Sequence, residues 1–537
     1  MKIKYIKRSV LAFMMLLMLN SCSEDYLTIE PTTQLTADAI QTDSDYEALV
    51  NAAYDPLRWQ VDGAATRHMY PVMFQDMRAD NVVSQWATFW VAGQAFDKNP
   101  IQTNNPSVEG MWKKWYTMIS RANTAIGVIS ETQKIKDEAF RNQLIAQAKF
   151  LRGFAYFELV KHFGGVPLIT EYIKDASYNF KKPKATAAEV YVQIEKDLLD
   201  AAQTLPTVPT KKGRATKGAA YAVLAKANLY QKDYNETVKY CEEVMKLGYS
   251  LEEKFEDNWD LSNEYGKESI FEIGYISGSL YNNFEGGQSY SNQGSSSHQM
   301  FGFLFNSSVG NSAFGNSVPR QELIDFYDDS DRRKEYTFIT PKTIVRGGRG
   351  AISCNCSTNA DGSINWSTES QWVFGTDTYN YFWPVGTPAF KSKASMYKYW
   401  IPPAVQDGLQ NYADSPLNEK IIRYADVLLM HAEARLMGGT GILSGASSFK
   451  LVTDRAYGAG NPKIPAYTLQ GVKDERRREL ATEGWDRYTD LVRWGDAKTA
   501  LEAVGKVFTV GRDELLPIPA SEIQQVGASI LIQNPGY

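Results

Sequence analysis

The sequence predicts a mainly α-helical protein in which tetratricopeptide-like helix pairs stack into a superhelical scaffold that carries a large, irregular, loop-rich lobe. Three observations predict it. Apolar residues recur at helical spacing through most of the first half. One stretch, residues 224–245, fits a tetratricopeptide helix–turn–helix unit without a gap. Between the helical blocks lie segments rich in Gly, Ser and Asn that also carry many aromatic rings.

The chain opens with Lys2, Lys4, Lys7 and Arg8, followed by an apolar run from Val10 to Leu19. That run has the length of a signal-peptide core and is too short to span a bilayer as a mature helix. It ends on Leu19-Asn20-Ser21-Cys22, which is similar to a bacterial lipobox apart from the unusual Asn20. Residues 1–21 are therefore expected to be a lipoprotein signal peptide and Cys22 the acylated N-terminus. Each buried methylene of the lipid adds about 0.8 kcal/mol of membrane affinity, so two or three chains hold firmly. A plain secretory signal or a short anchor is the alternative. Glu24 and Asp25 follow at once, in the manner of an acidic surface-export signal.

Composition excludes several classes. The chain has 537 residues, with Lys+Arg 57 against Asp+Glu 62 and a net charge of −5, so nucleic acid is not expected as a partner. Length allows a large core and more than one lobe. Besides Cys22 there are Cys241, Cys354 and Cys356, an odd number with the last two too close for an easy bridge, so disulfides are not the framework. No CxxC pair or neighbouring His makes these thiols metal ligands, and no metal or cofactor is expected. Aromatic residues reach 12%, with 31 Tyr and 12 Trp, and they are unevenly distributed.

Residues 107–130, around Trp112, Trp115 and Ile119, give a first long helix. A second follows from Phe140, where Phe140, Leu144, Ala148, Leu151, Ala155 and Leu159 form one stripe that Gly164-Gly165 ends. In residues 224–245, Ala225 and Ala227 sit where small residues let helices approach. Asp233-Tyr234 falls at the turn, and Val238, Tyr240 and Val244 lie on the inner face of the second helix. One such unit cannot bury its apolar face alone, so 107–163 and 186–230 are expected to stack on it. The N-terminal region is taken as 22–250 and the C-terminal region as 251–537, with aromatic-rich loops over 277–400 and closing helices after them. One closing helix is expected across 419–436, with Ile421, Ala425, Leu428, Ala432 and Leu436 on one face; another begins near Gln470. The middle third reads as long loops with short strands, and loops that large are usually functional surfaces.

Catalytic signatures are missing: there is no G-x-S-x-G, H-E-x-x-H or G-x-x-x-x-G-K-[ST]. The histidines, His68, His162, His298 and His431, read as structural; His431 and Glu433 point to different sides of a helix and cannot share a metal. Glu475, Glu479 and Glu483 are spaced as if on one helical face, and paired carboxylates about 5–10 Å apart would suit glycoside hydrolysis. Arg476, Arg477 and Arg478 are interleaved with them, however, and guanidinium partners hold carboxylates ionised, the wrong state for a general acid. A structural ion-pair network is expected there, and likewise for Arg423 and Asp426 as a helical i, i+3 pair.

Several motifs together resemble one family, the SusD/RagB surface lipoproteins of Bacteroidetes. CSEDYLTIEPTTQLT is similar to its mature N-terminus, AKFLRGFAYFELVKHFGGVPLIT to its first internal signature, and RATKGAAYAVLAKANLY to its tetratricopeptide-like segment. IIRYADVLLMHAEA, RRRELATEGWDRYTDLVRWG and LLPIPASEIQQ with IQNPGY resemble its C-terminal signatures. Gln147 departs from the pattern, standing where an acidic residue is frequent. The resemblance implies a SusD-like fold and no enzymatic activity. It implies a lipid-anchored protein on the outer membrane, facing the cell exterior, that captures oligosaccharide or polysaccharide for a SusC-type TonB-dependent transporter. An oligopeptide-binding lid of the RagB type is the alternative within the family, and a surface glycoside hydrolase the alternative outside it.

The family signatures are scaffold, so ligand residues must come from physics. Sugars present apolar C–H faces that stack on rings and hydroxyl edges that need Asn, Asp, Gln or Arg. Residues 77–90 offer both, with Arg78, Asp80 and Asn81 beside Trp86, Phe89 and Trp90. For each Trp the alternative is core packing or the transporter interface. Tyr281, Asn282, Tyr290, Trp366 and Trp372 are further candidates in the central loops.

Overall fold

The computed structural model describes residues 40–60, 70–84, 91–98, 100–174, 178–277, 294–302, 317–339, 352–355, 370–374, 377–381, 394–401, 405 and 414–537. Cys22, His68, Trp86, Phe89, Trp90, Tyr281, Asn282, Tyr290, Cys356 and Trp366 lie outside the described residues. For Cys354 and Trp372 the backbone alone is described.

Helices dominate. In the first half they are α1 (Asp43–Tyr54), α2 (Val91–Lys98), α3 (Pro106–Glu131), α4 (Glu138–Phe163), α5 (Ala187–Thr204), α6 (Lys217–Gln231) and α7 (Tyr234–Met245). In this half the long helices start where the sequence supplies a cap. Asn105 accepts from the amides of Ser107 and Val108 at the head of α3, with Pro106 beside it at the first helical position. Asp137 caps α4 in the same way, and Thr186 forms a capping box with Glu189 on α5. Helix α4 stops at Gly164, whose φ of 70° a side chain would resist.

The expected pair at 224–245 is α6 and α7, with Asp233 as the cap of α7. Ala219, Ala220, Ala222, Ala225 and Ala227 are all fully buried, which lets neighbouring backbones come close to α6. Helices α1, α3, α4, α5, α6 and α7 pack in succession, so the first half is one continuous stack. Arg152 on α4 clamps three layers. It makes a bidentate pair with Asp197 of α5 at 2.8 and 2.7 Å, and it donates to Asn123 Oδ1 of α3 at 2.8 Å.

The closing helices are α8 (Tyr424–Leu436), α9 (Gly445–Tyr457), α10 (Leu469–Leu480), α11 (Arg487–Trp494), α12 (Ala497–Ala503) and α13 (Ala520–Val526). Helix α8 packs on α7, α9 and α10, which joins the two halves through one core. Short antiparallel strands link the rest. β1 (Val82–Ser84) pairs with β3 (Ser317–Pro319), β2 (Ser269–Ile273) with β9 (Glu419–Arg423), and β4 (Phe338–Ile339) with β8 (Ser395–Met396). β5 (Ile352–Asn355), β6 (Ser370–Phe374) and β7 (Asp377–Tyr381) form a meander in which Trp372 stands opposite Cys354 on one side and Tyr379 on the other.

Two expectations are corrected. The helix expected across 419–436 begins only at Tyr424; residues 419–423 are extended and paired with β2, so Ile421 lies on a strand. The β-branched pair Ile421-Ile422 and the available partner strand override the helical period. Arg423 and Asp426 are consequently not a helical ion pair. Arg423 turns to Glu268, Glu479 and Glu483, while Asp426 binds Lys226 and Arg476.

Candidate functional site

Helix α10 carries the charged run Asp474–Glu479, and its side chains meet different elements. Arg476 donates to Asp426 of α8 at 2.7 Å and to Asp490 of α11 at 3.1 Å. Glu479 accepts from Arg423 and Arg333, each at 2.9 Å, and also from Arg455 of α9. The helix ends at Leu480, so Glu483 is not on its face; the turn through Thr482 (φ 66°) brings it back to Arg423 and Lys398. Burial opposes ionisation of Glu479, but Arg455, Arg423 and Arg333 overcome it and hold the carboxyl well below the usual range. Glu475 behaves oppositely. Burial pushes its pKa up despite Arg333 Nη1 at 2.7 Å. Both carboxyls are fully buried, which keeps them from any substrate in solvent.

Arg477 of the same helix claims two of the polar side chains expected to address sugar hydroxyls, Asp80 and Asn81, and the third, Arg78, is held by other groups. Arg78 donates to the carbonyls of Asp513 (2.7 Å) and Leu515 (2.9 Å), and its guanidinium lies 3.9 Å over the Tyr488 ring. Asp80 accepts from Arg487 at 2.8 and 2.7 Å and pairs with Arg477 at 3.0 Å. Burial works against its charge, yet Arg487 and then Arg477 keep it well below the carboxylate range. Asn81 donates to Asp76 Oδ1 at 2.7 Å and accepts from Arg477 Nε at 2.9 Å. None of the three is more than 3% exposed, so the structure turns them inward to protein groups where the sequence suggested an exposed polar edge. The physical reason lies in the next layer. Pro71 and Val72, which lead into a π-helical turn at Met73–Met77, sit against Gly484 (φ +84°), where an added Cβ would meet Val72 N at 2.4 Å. Asp76 Oδ1 accepts from Thr482 N at 3.1 Å in the same contact.

Where this base ends, the ribbon β1–β3 begins. Ser84, the last described residue before the stretch that carries Trp86, Phe89 and Trp90, pairs with Ser317, the first residue of β3. Arg320, just past β3, donates to Asp97 of α2 at 2.8 Å, and Lys506 reaches the same carboxylate at 3.2 Å. Both flanks of the Trp86–Trp90 segment are thus fixed to charged, buried anchors.

Sequence reasoning missed a second polar cluster. Gln60, Tyr70, Ser295, Ser296, Ser297 and Glu419 come together from four places in the chain. The run Ser295-Ser296-Ser297 was its visible signal, masked by the Ser-rich composition around it.

Two histidines behave as structural groups. His431 Nδ1 lies 2.9 Å from Ser448 Oγ and its Nε2 3.6 Å from Glu242 Oε1, a serine–histidine–acid connectivity across α7, α8 and α9. The serine and histidine are at most 4% exposed, and burial lowers the imidazole's proton affinity, with Glu242 opposing. A hydroxyl closed off in this way attacks nothing. His298 Nδ1 binds the Tyr399 carbonyl at 2.9 Å. Cys241 is buried, and burial drives its thiol pKa up, as expected of a core cysteine.

The fold and these signatures define a class. A family model described as "Starch-binding associating with outer membrane" matches residues 25–229, and one described as "SusD family" matches 259–513. The chain belongs to the SusD/RagB family. Its relatives include a SusD-like protein of Formosa agariphila, 26% identical over 465 residues covering 81% of each chain. A SusD-like protein of Bacteroides ovatus is 26% identical over 452 residues, 78% of this chain and 70% of that one. Among solved structures, a laminarin-binding SusD-like protein superposes with a TM-score of 0.73 at 28% identity, covering 93% of this chain and 100% of its own. Surface glycan-binding protein A from Bacteroides thetaiotaomicron, in complex with laminarihexaose, shares the fold with a TM-score of 0.74 at 23% identity, covering 92% and 99%.

Proposed function

We propose that this protein is a non-catalytic, lipid-anchored glycan binder of the outer cell surface that passes captured oligo- or polysaccharide to a SusC-type TonB-dependent transporter. The observation that carries the reading is the likeness to a laminarin-binding SusD-like protein over 93% of the chain. Trp86, Phe89 and Trp90 are the first candidates for stacking on sugar faces, with Tyr281, Asn282, Tyr290, Trp366 and Trp372 as a second group. Arg78, Asp80 and Asn81 then hold the base of the first segment, because their hydrogen bonds go to protein groups. Cys22 carries the lipid.

Calorimetry with laminarin and laminarihexaose tests the reading directly. Loss of a stacking platform costs about 1–3 kcal/mol, by analogy with bases on aromatic rings, or roughly ten- to hundredfold in affinity. Trp86→Ala or Trp90→Ala should show that loss with unchanged thermal melting. A variant that binds glycan normally but no longer co-purifies with the transporter assigns that Trp to the protein interface. If the wild type binds neither these nor other glycans on an array, and binds peptides instead, the glycan reading falls.

A further inference from the structure

Three segments of the chain, 61–69, 278–293 and 402–413, begin and end on one buried polar node. Gln60 immediately precedes the first and is 5% exposed. Its Nε2 donates to Ser297 Oγ (2.8 Å), Ser295 Oγ (3.3 Å) and Glu419 Oε2 (3.4 Å). Its Oε1 accepts from Ser296 N (2.8 Å) and Ser296 Oγ (2.9 Å). Tyr70, immediately after that segment, closes the ring with its hydroxyl 2.6 Å from Ser296 Oγ.

The other two segments join the same node. Tyr275, ahead of the second, donates its amide to Asn418 Oδ1 at 2.8 Å. Ser295, just behind it, exchanges backbone hydrogen bonds of 2.7 and 3.1 Å with Ser415, which stands just behind the third. A Cβ on Gly294 would lie 2.5 Å from Asp414 Cα, so these two chains are at closest approach. His298 reaches the Tyr399 carbonyl ahead of the third segment. Lys114 supports the whole from below, donating to the carbonyls of Leu57 (3.2 Å) and Trp59 (2.9 Å) on the turn that leads to Gln60.

A primary amide suits the centre of such a node, since it offers two donors and an acceptor in one plane without charge. A buried network with its members paired specifies one arrangement, and removing its hub leaves several partners unsatisfied at once. We propose that Gln60 is a positioning residue that sets the mutual placement of the flanks of all three segments, and through them the affinity for glycan. The affinity half rests on the function proposed above; the positioning half does not.

The test uses the full-length protein carrying Gln60→Met, which keeps the side-chain length and removes its hydrogen bonds. Hydrogen exchange should quicken at least tenfold in peptides containing Ser295–Ser297 and Ser415–Glu419, while peptides from α3, α4 and α5 keep wild-type rates. Laminarin affinity should fall about tenfold. Tyr70→Phe removes the hydroxyl's contact with Ser296 Oγ and should quicken the Ser296 peptide most; this milder variant decides the matter if Gln60→Met does not fold. Unchanged exchange at both peptides overturns the proposal, and so does acceleration spread evenly over the chain. Quickened exchange with unchanged laminarin affinity keeps Gln60 as the hub of the flanks and overturns its control of glycan affinity. If the wild type itself ignores laminarin, the glycan reading has failed on that probe, and exchange alone decides whether the node couples the segments.

Discussion

Replacing Arg423 with methionine tests the reading of the buried charge network most severely. The guanidinium is fully buried and makes hydrogen bonds to Glu483 (2.9 and 2.6 Å), Glu268 (2.5 Å), Glu479 Oε1 (2.9 Å) and the Glu479 carbonyl (3.1 Å). Methionine fills similar volume, so the loss is electrostatic rather than a cavity. Removing one partner of a buried ion pair costs about 3–5 kcal/mol because a charge is left uncompensated. Here Glu479 keeps Arg333 and Arg455, and Glu483 keeps Lys398, which places the expected loss near the low end, about 3 kcal/mol. Urea unfolding followed by tryptophan fluorescence suits the measurement, since Trp259 lies 5.4 Å from the Arg423 guanidinium. The chain is large, so the midpoint and slope of each transition should be compared rather than one global free energy. Acid titration adds a signed check. Glu479 has a depressed carboxyl, so its stabilisation is present above its unfolded pKa and is lost as pH falls through the folded value. Without Arg423 that loss should begin at higher pH. A penalty below about 1 kcal/mol, the scale of exposed pairs, together with an unmoved acid limb, would refute the reasoning.

Other outcomes follow from single contacts. Burial pushes Asp76 up to about 6, with Asn81 and Thr482 pulling the other way, so its contribution is complete below the ordinary carboxylate pKa and fades as pH rises through 6. Asp76→Asn should therefore raise stability at pH 7.5 by on the order of 2 kcal/mol and flatten the slope between pH 4 and 6, read by denaturant midpoints across pH. Gly484→Ala should destabilise by about 2 kcal/mol or more, since a Cβ would press on Val72 N and the φ of +84° is strained for alanine; a melt within error of wild type would contradict the close approach. Cys22→Ala should release a folded protein from the membrane fraction, and palmitate labelling that persists in the variant would disprove acylation there. Incubated with laminarin, the protein should leave chain length unchanged; shorter products, abolished by one Glu or Asp substitution, would establish hydrolysis.

The helical scaffold was legible because its signals are local. The stripe from Phe140 to Leu159, the caps at Asn105, Asp137 and Thr186, and the alanines around Ala225 each act within a few residues. The strand at Glu419–Arg423 was not legible, because its partner Ser269–Ile273 lies far away in sequence and nothing nearby announces it. The same distance explains Arg78, Asp80 and Asn81. Their neighbours in sequence are aromatic and loop-like, but their partners are Asp513, Leu515, Arg477 and Arg487, some four hundred residues on. The charged run on α10 announced a network but not its members; Arg333 and Arg455 carry no mark that distinguishes them from surface arginines.

If the aromatic residues stack on glycan as proposed, a division of labour between them and the buried charges has a physical logic. Long loops cannot supply their own stability, because each ordered residue loses about 1–2 kcal/mol of backbone entropy and loops bury little apolar area in return. Their geometry must come from what holds their ends. Here the ends are held by groups whose partners are singular: a guanidinium between two backbone carbonyls at Arg78, a bidentate pair at Asp80, an amide hub at Gln60. Apolar packing would hold the same ends as strongly but less uniquely, since hydrophobic contacts tolerate sliding and polar networks do not. Such anchoring leaves the sequence between the ends free to change. On the glycan reading proposed above, substitutions at Trp86 or Tyr281 should alter what is bound, whereas substitutions at Arg78, Asp80 or Gln60 should weaken binding by loosening the ends of the segments that carry those residues.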